Sequence, residues 1–186
     1  PLDNLQPVLN AIEILTASWG LGWSPKRITV SSIGKLKELR SLLDTTKVHI
    51  AISLHNPFSA ERAAIMPVER AYPIRDVIAL LSNYDFSHQR RLSFEYIMWR
   101  DVNDSIRYAE ALVKLIGRLD CRVNLIRFHA IPGSDLRPST TQVMERFRDC
   151  LNDHGITATI RASRGEDIMA ACGMLAGKAT AEAATE

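Results

Sequence analysis

Polar side chains that could do chemistry follow four apolar runs of the sequence. They are Ser31 and Ser32 after the first run, Ser53-Leu54-His55-Asn56 after the second, Trp99 to Asp104 after the third and His129 after the fourth. Their hydroxyl, imidazole and amide groups donate or accept hydrogen bonds. If the fold brings the ends of these runs together, the residues form one polar ligand site.

Each of these groups also has a simpler structural interpretation. Either serine before Gly34 could cap a helix or form a turn. His55 precedes Asn56-Pro57, and His129 lies near Pro132-Gly133. Both pairs are typical of turns, so either histidine could be a turn residue. The Asn103-Asp104 pair has the chemistry of a cap for the helix that follows. The residue types alone leave both interpretations open.

Cys172 is the cysteine with a possible chemical role. It lies among Ala170, Ala171 and Gly173, and a cysteine in an alanine-rich helix is usually a small core residue. A chemical role needs the thiolate, which the positive charge of Arg161 or Arg164 could favour. Cys121 and Cys150 are tens of residues away, so the three cysteines indicate reduced thiols, with neither a disulfide set nor a metal site.

The composition is that of one soluble globular domain. The chain has 186 residues, 46% of them apolar and 24% charged, which excludes a disordered, collagen-like or disulfide-framework protein. Without a long apolar run or a signal pattern, we expect no membrane segment and a cytoplasmic location. A formal net charge of +2 neither requires nor forbids RNA as a partner.

The apolar patterns predict alternating helices and strands. Helices are predicted over residues 3–19, with Asp3 as an available N-cap, and over 35–43, 74–84, 104–119 and 140–154; strands are predicted over 27–32, 48–54, 92–98, 122–128 and 156–160. Short apolar strands separated by helices indicate right-handed crossovers and a mostly parallel α/β sheet. Ligands of such sheets bind beyond the carboxyl ends of the strands.

Several segments together resemble a known family. They are Pro1-Leu2, Arg27 to Gly34, Ala51 to His55, Phe94 to Asp104 and the cysteine segment Arg164 to Gly177. In this order they are similar to the radical S-adenosylmethionine (SAM) RNA methyltransferases that methylate carbon 2 of adenosine. Residues 1–177 resemble the C-terminal two thirds of the radical SAM domain, and residues 178–186 form a tail.

The resemblance implies a fold and a set of site residues. The fold would be a partial (β/α) barrel that is open because its N-terminal units are missing. Ser31, Ser53, Leu54 and His55 would bind S-adenosylmethionine, and His129 would do so where the family has asparagine. Cys172 would carry the methyl group as a methylated cysteine, and hydrogen abstraction by a deoxyadenosyl radical would then activate that methyl group for addition to adenine.

The resemblance also implies partners that the chain does not supply. The Cys-x3-Cys-x2-Cys ligands of a 4Fe-4S cluster and the second catalytic cysteine would precede Pro1, so we expect the chain by itself to be inactive. The implied RNA substrates are 23S rRNA and tRNA, and the implied electron donor is a protein such as flavodoxin.

Two other functions remain open at this stage. A carbon-8 adenosine methyltransferase would share most of these segments, and a non-catalytic RNA-binding or nucleotide-binding module could use the same strand-end pocket. For the structure, we expect one unpaired sheet edge and convergence of Ser31, Ser53, His55 and His129 at one mouth. We expect Cys172 on a mobile segment near that mouth.

Overall fold

The computed structural model describes residues 1–88, 90–130 and 134–162. Five strands form one sheet in the order β1-β2-β3-β4-β5. All four neighbouring pairs are parallel. The strands are β1 Thr29–Ser32, β2 His49–Ser53, β3 Leu92–Met98, β4 Arg122–Arg127 and β5 Thr157–Ile160.

Six α-helices accompany the sheet in the described part of the chain. They are α1 Leu5–Thr16, α2 Leu36–Thr45, α3 Ser59–Ile65, α4 Ile74–Leu81, α5 Ile106–Ile116 and α6 Thr141–Asp153, with short 3-10 turns at Leu2–Asn4, Pro25–Arg27 and Pro67–Arg70. Because each strand pairs with the next one along the chain, right-handed crossovers place the connecting helices on one face of the sheet. The predicted open, parallel α/β architecture is confirmed.

The two faces of the sheet differ in chemistry because successive strand residues point to opposite sides. One face supplies core side chains such as Ile50, Phe94 and Leu125, which are buried against the helices. On the other face, the register aligns Ser31 with Ala51 and Ser93, and Ser53 with Glu95 and Asn124. The open face is therefore the polar one.

Two expected helix caps take other roles. The carboxylate of Asp3 accepts a hydrogen bond from Lys35 Nζ at 2.7 Å, so it ties the first turn of the chain to the start of α2. Helix α5 follows Ser105, and Asp104 accepts from the Asp101 N–H at 3.0 Å and from the Ser139 hydroxyl at 2.7 Å. The prediction that Asp104 caps α5 is wrong, because its carboxylate instead joins the loops after β3 and β4.

The sheet has open edges within the described residues. There β1 pairs only with β2, and β5 pairs only with β4. We expected one unpaired edge, and within the described residues both outer strands, β1 and β5, have one. None of the described helices has the length and apolar character needed to cross a membrane.

Candidate functional site

The predicted site residues lie at the carboxyl edge of the sheet. Ser31 belongs to β1, Ser53 ends β2, and His55 follows two residues later. His129 follows β4 by two residues and is half-buried. Because the strands are parallel, these positions share one edge. Cys172 lies outside the described residues.

Ser31 and Ser53 line the same pocket. Its volume is about 210 Å³, and Ser32, Ile33, Lys35 and the first three residues of the chain complete its wall. Ser31 is exposed and Ser53 half-buried, and in the described part of the chain neither hydroxyl has a hydrogen-bond partner. Two hydroxyls on neighbouring strands are thus available to one ligand.

The neighbouring serine has the turn-forming role that the sequence left open. Ser32 is buried, and its hydroxyl accepts a hydrogen bond from the Gly34 N–H at 2.9 Å. Gly34 has a φ of 94°, a conformation that favours glycine. Both serines border the pocket, but the Ser32 hydroxyl is engaged in the turn and the Ser31 hydroxyl is not.

The His55 ring is fixed as a neutral hydrogen-bond donor. Its Nδ1 accepts from the Ile97 N–H at 3.0 Å, which leaves the ring proton on Nε2. Burial, with a smaller contribution from the positive charge of Arg62, lowers the pKa of His55 from 6.5 to about 4. The imidazole is therefore uncharged at neutral pH and can donate from Nε2.

Asn103 holds the His55 turn against β3. Its Nδ2 donates to the His55 carbonyl at 2.7 Å and to the Ile97 carbonyl at 2.8 Å, and its Oδ1 accepts from the Trp99 N–H at 2.8 Å. The side chain is fully buried. The interpretation of Asn103 as a helix cap is wrong, because its amide satisfies backbone groups from two strand ends. His55 itself has a φ of 57°, so the turn needs this support.

A polar network on the open face lies beside the pocket. Glu95 Oε1 accepts from Asn124 Nδ2 at 2.7 Å and from the Ser93 hydroxyl at 3.1 Å. Asn124 Oδ1 accepts from the Thr159 hydroxyl at 3.2 Å, and Arg161 lies 3.5 Å from Glu95 Oε2. The sequence indicated Arg161 only as a possible charge near Cys172 and gave no signal for Asn124 or Thr159, although alternation along β3 places Glu95 on the same face as Ser93.

Aromatic rings form a second wall at the same edge. The Trp99 ring lies 6.1 Å from the His55 ring in an edge-on arrangement and 6.1 Å from the Phe128 ring. Trp99 is largely buried, and among the described residues its Nε1 has no hydrogen-bond partner. The two rings pack beside His55 where β3 and β4 end.

The described cysteines do not provide a metal site. Burial raises the pKa of Cys121 to about 12, and burial also raises the pKa of the half-buried Cys150. Both are free thiols. Within residues 1–88, 90–130 and 134–162, no cluster of three histidine, cysteine or acidic side chains could hold a metal ion.

Comparison with known proteins shows a strong likeness to RNA methyltransferases. The chain is 61% identical over 175 residues to the probable dual-specificity RNA methyltransferase RlmN of Bacteroides fragilis, covering 94% of this chain and 51% of that protein. The predicted family resemblance is confirmed. The probable dual-specificity RNA methyltransferase RlmN of Parabacteroides distasonis is 58% identical, over 94% of this chain and 51% of its own length.

Solved structures agree with this family. A radical SAM methyltransferase from Sphaerobacter thermophilus superposes with a TM-score of 0.87 at 36% identity, over 94% of this chain and 51% of that chain. A domain of pyruvate-formate lyase-activating enzyme from Bacteroides vulgatus superposes with a TM-score of 0.63 over 87% of this chain and 94% of that chain. At 13% identity, this likeness shows only that the two share a fold. No family model matches the sequence. The chain spans about half the length of the curated relatives it matches.

Proposed function

We propose that the protein containing this chain is a radical SAM methyltransferase that methylates carbon 2 of adenosine in RNA. The observation that carries the proposal is the pair of hydroxyls, Ser31 and Ser53, in one pocket at the carboxyl edge of the sheet. The identity of 61% to a probable RNA methyltransferase supports the same function.

The described residues fit S-adenosylmethionine. Ser31 and Ser53 can bind the hydroxyls of a ribose, and the neutral His55 can donate one hydrogen bond from Nε2. Leu54 contributes through the turn that it shares with both neighbours, and His129 stands at the same edge. When bound, this cofactor supplies an electrophilic methyl group on sulfur.

Cys172 is the proposed acceptor of that methyl group. A cysteine thiolate is the nucleophilic form of the side chain. Its sulfur would form the new bond to the methyl carbon while the bond from that carbon to the sulfonium sulfur breaks, so that the rest of the cofactor leaves as a neutral thioether. The support for this role is the resemblance of the Arg164 to Gly177 segment to the family's active-site cysteine segment. Cys121 and Cys150 are poor alternatives, because burial raises the pKa of both thiols.

The described residues do not fit a 4Fe-4S cluster. Such clusters are held by cysteine thiolates, and the part of the chain that the structure describes offers no set of metal ligands. The proposal therefore gives the described residues no role in holding the cluster. In this proposal its ligands belong to a part of the protein outside this chain.

The proposed substrates are 23S rRNA and tRNA, with a protein such as flavodoxin as electron donor and the cytoplasm as the location. Arginines that follow the strand ends could contact RNA phosphates. The side chains of Arg161 and Arg137 are 56% and 68% exposed. They lie at the carboxyl edge of the sheet, where arginine can bind phosphate.

The proposal is tested by analysing RNA from a strain that lacks the gene. We expect mass spectrometry of digested 23S rRNA and tRNA to show loss of 2-methyladenosine and its return when the complete gene is restored. A gene encoding Cys172→Ala should restore none, while the protein retains the iron content of the wild type. Cys150→Ala is the matched control and should restore the modification fully.

Other products would decide between the alternatives. Loss and return of 8-methyladenosine would replace the carbon-2 assignment with the carbon-8 activity. RNA modification that is unchanged by the deletion would favour a non-catalytic binding module. Full activity of Cys172→Ala would remove that residue from the mechanism.

A further inference from the structure

Helix α3 carries an arginine that is completely buried. Arg62 has no exposed surface and is the largest fully buried side chain in the described part of the chain. Burying a charged group costs more than burying an apolar one, and replacing a buried ion pair with apolar residues is often neutral or stabilising. The location of Arg62 therefore needs an explanation other than core packing.

The guanidinium of Arg62 contacts the backbone of the proposed cofactor-binding turn. Its Nε donates to the Leu54 carbonyl at 2.9 Å, and one terminal nitrogen donates to the Ser53 carbonyl at 2.8 Å. At the same place the Leu54 N–H donates to the Glu95 carbonyl at 3.0 Å, where β2 leaves the sheet. Arg62 thus holds two consecutive carbonyls at the end of β2, that of its last residue, Ser53, and that of Leu54.

Glu69 fixes the orientation of this guanidinium. The other terminal nitrogen of Arg62 forms a buried ion pair with Glu69 Oε2. Glu69 is itself buried and accepts from the Ile74 N–H at 2.9 Å and from the Ser59 hydroxyl. The carboxylate is therefore held by the first residue of α4, and the arginine by the carboxylate.

We infer that Arg62, oriented by Glu69, is a positioning residue that shapes the Ser53-Leu54-His55 turn for binding S-adenosylmethionine. This inference rests on the proposed function. A planar, forked guanidinium can hold two adjacent carbonyls and one carboxylate at once, which the single ammonium of lysine cannot do. Arg62 reaches the ligand only through the turn.

The test is cofactor binding by variants of the complete protein, measured by calorimetry with S-adenosylmethionine. In the double variant Arg62→Met with Glu69→Gln, both buried charges are removed together, and a glutamine oxygen can still accept from the Ile74 N–H. We expect at least tenfold weaker binding. Arg62→Lys, which keeps the ion pair and loses the fork, should also weaken binding.

Arg90 offers a matched control. It is also buried and also donates to backbone carbonyls, those of Leu43 and Thr46. These carbonyls belong to the last turn and the C-cap of α2, which precede β2 at the opposite end of the sheet from the pocket. Arg90→Met should lower the thermal midpoint as other losses of a buried arginine do, and it should leave cofactor affinity within twofold of the wild type at a temperature where all variants are folded.

The outcomes separate the inference from the proposed function. If the wild type binds and both Arg62 variants bind equally well, the positioning role is overturned. If Arg90→Met weakens binding as much as the Arg62 variants do, the effect is one of general stability and the inference is also overturned. If the complete wild-type protein does not bind S-adenosylmethionine, the proposed function itself fails, and the inference falls with it.

Discussion

At the scale of single residues, exposure and hydrogen bonding decide which polar side chains of the site are available to a ligand. Ser31 and Ser32 both border the pocket, but Ser31 is exposed while Ser32 is buried and its hydroxyl accepts a turn hydrogen bond. His55 differs from an ordinary surface histidine through burial and its bond from the Ile97 N–H. Both differences lead to measurements.

Exchange of each serine for alanine should separate binding from stability. Ser31→Ala should weaken S-adenosylmethionine binding and change the free energy of unfolding by no more than about 0.5 kcal/mol, because the hydroxyl is exposed and makes no hydrogen bond to another described residue. Ser32→Ala should cost about 1 to 3 kcal/mol, because the Gly34 N–H loses its acceptor. Calorimetry and urea unfolding measure the two effects, and a reversed pattern would contradict the assignment of Ser31.

The buried His55 should make stability depend on pH. Its pKa is about 4 in the folded protein against 6.5 ordinarily, so between these values the unfolded chain binds the extra proton. The free energy of unfolding should therefore fall as the pH drops from about 6.5 to about 4, by roughly 3 kcal/mol in total, with no contribution above this window.

Urea unfolding at several pH values measures this contribution as the difference between the wild type and His55→Gln, whose side chain does not titrate. The exposed His154 at the end of α6 provides the control, since His154→Gln should retain the slope of the wild type. A slope that His55→Gln leaves unchanged would show that His55 is not buried as a neutral ring.

At the scale of elements, the connection between β1 and α2 is the tightest backbone approach near the pocket. Gly34 has a φ of 94°, and a Cβ there would lie 2.6 Å from Val77 Cγ2 of α4. This close contact lets α2 and α4 pack side by side behind the Ser31 pocket. The loop therefore sets the distance between the pocket and the helical layer.

Gly34→Ala should destabilise the protein by about 3 kcal/mol, because the new methyl group meets Val77 in addition to the strain of a positive φ. Gly155→Ala is the control, since Gly155 has a φ of 80° and nothing within 4 Å of a Cβ. It should cost about 1 kcal/mol from backbone strain alone. Chemical denaturation measures both values, and equal losses would mean that the contact with Val77 is relieved by a small shift of α4.

At the scale of the whole molecule, the sheet is open at β1 and β5 within the described residues. In the proposed function this sheet is one part of a barrel wall, so its pocket holds only part of the cofactor. The open edge beside β1 also presents unpaired backbone groups, which favour association with another strand.

The chain by itself should therefore bind S-adenosylmethionine weakly or not at all. In the proposed function, the part of the protein that holds the cluster also holds the methionine end of the cofactor, and this chain lacks those ligands. Calorimetry of residues 1–186 against the complete protein measures the difference. Submicromolar affinity of the isolated chain would contradict this division of the site.

The sequence by itself determined the fold class and the strands that build the sheet. The run over 92–98 matches β3 in both bounds, because apolar Leu92, Phe94, Tyr96 and Met98 alternate with the other face of the strand. The cofactor-binding roles of Ser31, Ser53 and His55 remain predictions. The role of Cys172 stays a prediction, since it lies outside the described residues.

Only the tertiary structure decided which polar groups are structural and which are available. Helix α3 was not predicted, because it has only seven residues and its central Arg62 interrupts the apolar pattern. Arg62 can be buried because Glu69 and two carbonyls at the end of β2 accept its hydrogen bonds. Asn103 can be buried because backbone groups at the ends of β2 and β3 accept the hydrogen bonds of its amide. Hydrogen bonds between residues far apart in sequence leave no local pattern, so these residues became visible only when the strands were placed side by side.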